Sequence, residues 1–294
     1  MSYYVTNALQ EFYKRMGQLM VGKATSGSTT TIYDTAKDGA GRDNSWKNGS
    51  LFVIETTDNL APEGEMGRIS ASASATFSLT VDTALTAVIG AGDTYGFTGS
   101  EYPLWDLVEH LNSALLKYGY IDLTDITTLT SESSKSVYAA SADWKLPYGP
   151  TRVDCAGRDD SEDYGWVEQV DFEYEPAGPG TGGKIIIPNF PTYSGMPIRV
   201  WYRGPHGRVS AYNDPIDGSI EPEVLTQMLI TTALDWNNTR IRGGDKYLIQ
   251  RQNKAEQDKI NAEADSPKVV MPIRPKLFTL GKAIHREPGD RNPT

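Results

Sequence analysis

The stretch Pro197–Thr239, PIRVWYRGPHGRVSAYNDPIDGSIEPEVLTQMLITTALDWNNT, changes its hydrophobic period once, and that change decides the fold class. In PIRVWYRG, Ile198, Val200 and Tyr202 fall on one side and Arg199, Trp201 and Arg203 on the other. That period of two belongs to a strand with one covered face. From Ile220 to Thr239 the apolar residues Val224, Leu225, Met228, Leu229 and Leu234 form a helical face, with Pro222 in the first turn, where a missing N–H is tolerated. Strand pattern and helix pattern come in separate runs, which predicts an α+β protein with a helical framework and β-rich modules.

Working toward the N-terminus, SKSVYAA, TRVDCA, WVEQVDFEYEP and KIIIPNF are β-branched or aromatic runs separated by Gly/Pro-rich turns. They predict a sandwich-like β module over 124–213. Before it, Leu104, Leu107, Val108, Leu111, Ala114 and Leu115 make one face of a helix over 103–118, stopped by Gly119. TTTIYDT, the run Leu51–Glu55 after the Asn48-Gly49 turn, and the alternation Phe77, Leu79, Val81 predict a small antiparallel sheet or barrel. Together with helix 103–118 this first β-rich module covers 23–123.

The N-terminal segment 1–22 carries Val5, Leu9, Phe12, Met16 and Leu19 on one stripe, a helix over Val5–Met20 with Gly22 as its stop. A core helix would show the same stripe, but a Ser/Thr/Gly stretch separates it from the rest, and Leu9, Phe12 and Met16 are expected to meet a partner. At the other end, 214–265 is a helical pair. Gly243-Gly244 separate the first helix from a second over Asp245–Ala264 that is polar apart from Tyr247, Leu248 and Ile260. Such a helix is solvated or lines a shared surface. The last stretch, 266–294, has five prolines and no periodicity, an extended arm.

Charge is unevenly placed. The chain of 294 residues carries a net −10, yet Ser266–Thr294 holds six basic residues and two acidic ones, which leaves −14 on the remainder. An acidic body repels nucleic acid and anionic membrane, while a basic tail suits an acidic partner. No run approaches the roughly 20 apolar residues of a membrane span, and the charged N-terminus does not fit a secretory signal. A single cysteine, Cys155, excludes an internal disulfide framework and a multi-cysteine zinc site.

Signatures of chemistry are sparse. The three histidines, His110, His206 and His285, show no metal-ligand spacing, and no phosphate-cradling glycine loop is present. Cys155 with His206 could form a nucleophile pair, but a cysteine in a strand pattern is by default a small buried residue. Asp159, Asp160, Glu162 and Asp163 could hold Ca²⁺, although a solvated hairpin tip has the same composition. Asp171, Glu173 and Glu175 could supply a carboxylate pair for glycoside hydrolysis, or a solvent face of one strand. Trp46, Trp144, Trp166 and Trp201 suit a sugar-stacking platform or ordinary packing. The expectation is no catalytic, cofactor or metal residues, and no cofactor.

The segment DNSWKNGSLFVIETTDNLAPEGEMGRISASASATFSLTV, then GAGDTYGF, then YPLWDLVEHLNSALLKYG, resembles head-to-tail connector (adaptor or neck) proteins of tailed bacteriophages. The phrases are Trp46–Gly49, Gly64–Ile69, Gly92–Tyr95 and Leu107–Leu115. The later Tyr202–His206 turn, the acidic loop Asp214–Asp217 and the helical pair are similar too. The resemblance covers most of residues 30–260. It implies a structural virion protein, synthesised in the host cytoplasm, with about twelve copies closed head to tail into a ring below the portal. Its partners would be its own copies, the portal protein, and tail or neck proteins, with DNA passing through the channel unbound and no membrane contact. The arm, through Arg274, Lys276 and Phe278, is expected to dock on the portal or an adjacent copy. A tail-tip or glycan-binding virion protein is the alternative, and a polysaccharide-cleaving enzyme a further one.

Overall fold

The computed structural model describes residues 3–132, 135–144, 149–156, 165–169, 171–178, 182–188, 195–240 and 246–266. The chain is mixed α+β, and its described residues fall into two compact units: those up to Ile121 with those from Pro205 to Ser266, and those from Asp122 to Gly204.

In the first unit, β1 (Tyr3–Tyr4) leads into α1 (Val5–Arg15), followed by β2 (Met20–Lys23), β3 (Ser26–Gly27), β4 (Thr31–Tyr33), β5 (Ser50–Glu55), β6 (Met66–Ala73), β7 (Ser78–Val81), β8 (Thr94–Phe97) and α2 (Leu104–Tyr118). Strands β2 to β8 form one antiparallel sheet in the order β2-β8-β5-β6-β7-β4-β3, open at both ends, so the barrel expected as an option is not formed among the described residues. Leu51, Val53, Ile69, Leu79, Tyr95 and Phe97 belong to its core, each alternating with a less buried neighbour or continuing a covered run. Strand β6, GRISASA and its Met66, has the small residues of a loop. Gly67 is needed there because a Cβ would come within 3.1 Å of Val81.

The helix α1 ends earlier than its hydrophobic stripe predicts. Gly17 takes φ +68°, a left-handed cap that only glycine adopts without strain, and its N–H donates to the Lys14 carbonyl. Met20 and Gly22 then lie in β2. Gly22 is there for close approach rather than as a stop, since a Cβ would meet Tyr95 and Asp34 at 2.7 Å.

The second unit holds β9 (Tyr120–Thr130, which starts at the end of the first unit), β10 (Val137–Ala139), β11 (Arg152–Ala156), β12 (Trp166–Gln169), β13 (Glu173–Glu175), β14 (Lys184–Ile186) and β15 (Pro197–Pro205). They make a four-stranded sheet, β12-β11-β15-β9, and a three-stranded one, β10-β14-β13. Leu129, Val153, Cys155, Ile198 and Val200 of the first sheet share one core with Tyr138 and Ile185 of the second. The chain then returns to the first unit through β16 (Pro215–Ile216), which pairs with β1, and ends its described part in α3 (Pro222–Arg240) and α4 (Lys246–Asp265). Among the described residues no helix is long and apolar enough to cross a membrane.

Candidate assembly surfaces

Helix α3 is the centre of the helical layer and packs against α1, α2 and α4. Val224, Leu225, Leu229, Ile230, Ala233 and Leu234 are buried, and so are the polar Thr226, Gln227 and Asn237. A helix covered on three sides needs partners for its polar groups. Thr226 donates to its own turn at the Pro222 carbonyl, and Asn237 donates to Glu101 and to the Tyr102 hydroxyl, both at 3.2 Å.

The stripe Leu9, Phe12, Met16, expected to meet a partner, is covered by the chain's own core. All three side chains are buried inside the chain, and Phe12 meets the ring of Tyr102 edge-on at 5.3 Å. A side chain of that size gains about 1.5–3 kcal/mol from leaving water, which the core of the first unit supplies by itself. The opposite, polar face of α1 is the open one. Arg15 forks onto Glu223 of α3 with bonds of 2.6 and 2.5 Å and also binds Glu11 at 2.9 Å. These residues edge a groove of about 320 Å³ with Tyr3, Gln10 and Thr226. The Arg15 bonds hold the Glu223 carboxyl below its usual range.

Helix α4 lies on α3 through a thin seam. Ala255 and Ala262, seven residues apart, are its only fully buried positions. Asn238 and Asp235 of α3 both bind Gln252, and Arg251 reaches the Met16 carbonyl at 3.0 Å. Leu248, Arg251, Gln252, Asp258 and Lys259 are half-buried, and the rest of the helix is exposed, including Ile249 and Ile260.

The connection from the second unit back into α3 is tied by three side chains. Asn112 of α2 donates to the Val209 carbonyl and accepts from the Val209 N–H. His206 Nε2 accepts from the Asp217 N–H at 3.0 Å, and Asp214 accepts from the N–H groups of Ser210 and Ala211. In the sheet, Asp93 is buried and accepts from Gly90 and Thr57, while the Tyr95 hydroxyl donates to Asp34 at 2.8 Å. Burial, reinforced by Asp34, pushes the Tyr95 hydroxyl's pKa up.

One face of the four-stranded sheet carries an Arg–Trp–Asp cluster that the sequence reading did not single out. Asp154 is wholly buried and accepts from Arg152 at 2.6 Å, Arg199 at 2.8 Å and Trp201 Nε1 at 2.9 Å. Burial alone would raise its carboxyl; the bonds from Arg152, Trp201 and Arg199 outweigh that and hold it low. The Arg199 guanidinium lies 4.3 Å from the Trp166 ring and 5.2 Å from that of Trp201. The signal for this cluster was the alternation of Arg152 with Asp154 and of Arg199 with Trp201 on adjacent strands.

The remaining candidates separate. Cys155 is buried in the core of the second unit, where burial, with Asp154 nearby, pushes its thiol up to about 12; a group so hard to ionise is a poor nucleophile. His206 belongs to the first unit and is engaged as a brace. Trp144 is core, Trp46 packs edge-on against Phe97, and Trp166 and Trp201 lie on the cluster face. Asp171 precedes β13 rather than lying on it, and only Glu173 and Glu175 share that edge strand, so the three carboxylates do not alternate along one strand. Asp159, Asp160, Glu162, Asp163, His285, Arg274, Lys276 and Phe278 lie outside the described residues. No family model matches the chain, and no curated protein matches it.

Proposed function

We propose that this chain is a structural subunit of a tailed-phage particle, a head–tail connector that closes into a ring of about twelve copies below the portal, around the DNA channel. The observation that supports the reading most is the use made of the phrases behind the resemblance. Gly49 gives Thr98 room where a Cβ would come within 2.0 Å of its carbonyl oxygen; Asp93 and Tyr95 pin the sheet; Asn112 and His206 brace the connection into α3. These five residues are spread from Gly49 to His206, yet all of them act within the first unit.

The charge split supports the same reading. A body of net −14 lets DNA move past without counterion-releasing contacts, and the basic segment 266–294 suits an acidic neighbour. The arm residues Arg274, Lys276 and Phe278 are the proposed contacts with the portal or the next copy. Deleting Ser266–Thr294 is expected to abolish capture by portal rings in a pull-down; capture at the full-length level would remove the arm from the account.

A glycan-binding virion protein is the second reading, favoured by the partly exposed Trp166 and Trp201 on one sheet face. Its weakness is that Arg199 already stacks on both rings. Titration with host polysaccharide, followed by tryptophan fluorescence, separates the two readings.

A further inference from the structure

The charges of α4 run against its own dipole. A helix is stabilised by acidic residues in its first turn and basic ones in its last. Helix α4 has no acidic residue in its first turn and no basic residue in its last. Its first nine residues, Lys246–Lys254, contain Lys246, Arg251 and Lys254 and no acid; its last eleven contain Glu256, Asp258, Glu263 and Asp265 against Lys259 alone. Helix α3 brings no cation of its own to the acidic end: Glu223, already held by Arg15, stands there beside Asp258 and Asp265 around a groove of about 220 Å³. The arrangement is unfavourable for the helix alone and calls for a partner of opposite polarity.

The exposed face of the same helix has the matching pattern. Ile249, Asn253, Glu256, Ile260 and Glu263 recur at spacings of four and three, all of them exposed, on the side away from the Ala255–Ala262 seam. The two isoleucines, 41 % and 51 % exposed, are placed symmetrically about the point between Lys254 and Ala255, near the middle of the helix. In an antiparallel pair of two α4 helices centred there, Ile249 of each copy meets Ile260 of the other, and Lys246 comes beside Glu263. A parallel pair would oppose basic half to basic half and repel.

We infer that α4 is a two-fold docking surface for a second copy of this chain, with the two helices antiparallel, Ile249 of each against Ile260 of the other and Lys246 of each beside Glu263 of the other. The inference stands apart from the connector reading: a closed ring uses head-to-tail patches, whereas this contact is isologous and belongs to the free chain before ring closure.

The test is mass photometry and sedimentation of the full-length chain alone. Expected is a dimer that weakens with added salt, as screened charge contacts do. Lys246→Glu should raise the dimer dissociation constant at least about tenfold, and adding Glu263→Lys should restore it. Ile249→Asp should also break the pair, with circular dichroism confirming that the helices remain. A monomer at tens of micromolar by order of magnitude would overturn the inference, as would a dimer indifferent to these substitutions. If only the acidic-half reversals disrupt the dimer, the basic arm is the occupant and the antiparallel pairing is wrong.

Discussion

Asn112 and Val209 are bound to each other twice: the Asn112 amide donates to the Val209 carbonyl at 2.9 Å, and its carbonyl accepts from the Val209 N–H at 2.8 Å. The residues are 97 positions apart, and the second unit intervenes between them in the sequence. One side chain thereby fixes where the returning chain meets α2.

Asn112→Ala should therefore leave a buried backbone pair without partners. The expected loss is about 1–3 kcal/mol, read by urea unfolding with the first unit followed by far-ultraviolet dichroism. Asn112→Asp should lose nearly as much, since it keeps the acceptor and removes the donor.

Asp154→Ala removes the acceptor for two guanidinium groups and an indole. Breaking a buried pair costs roughly 3–5 kcal/mol, and because Arg152 and Arg199 keep partial access to water the lower end is expected. Tryptophan fluorescence should report early unfolding of the second unit, with the helical signal retained to higher denaturant. If the two signals lose stability together, the units do not unfold independently.

His110 lies 5.0 Å from the Trp236 ring with Nε2 buried and without a partner. Burial lowers its pKa below the ordinary 6.5, against the opposing pull of Asp106 and Glu109. The unfolded chain then binds a proton more readily than the native one as pH falls through 6.5. The stability of the neutral form is complete above that value and is lost on descent toward the lowered native pKa. His110→Leu should flatten the melting temperature between pH 7.5 and 5.5, a window of roughly two units spanning that ordinary value.

Gly49→Ala should be among the most damaging single-methyl changes in the sheet. Its Cβ would sit 2.0 Å from the Thr98 carbonyl oxygen, which is backbone and cannot swing away. A loss of about 1–3 kcal/mol or more is expected from overpacking alone, measured as the change in urea midpoint.

The readable parts of this sequence were the elements with one covered face. The run Ile198, Val200, Tyr202 and the stripe of α2 announce their periods because water lies on the other side. Helix α3 has a weaker signal because three helices cover it and polar residues such as Asn237 are buried with them. Strand β6 was hidden by its small residues, which carry no strand preference of their own; its place is set by pairing with β5 and β7. The stripe of α1 was legible as a covered apolar face, and the chain itself covers it; periodicity reports that a face is covered and not by what. Helix α4 was legible as a surface helix from its polarity, and its reversed charges were already in the sequence.

The most direct test of the connector account is mass photometry of the full-length chain mixed with a portal preparation from the same source. The account predicts a discrete portal-bound species holding about twelve chains, formed at the expense of the free protein. Portal rings that gain no mass, with the chain left in its original state, would contradict it and move the weight to the glycan-binding reading.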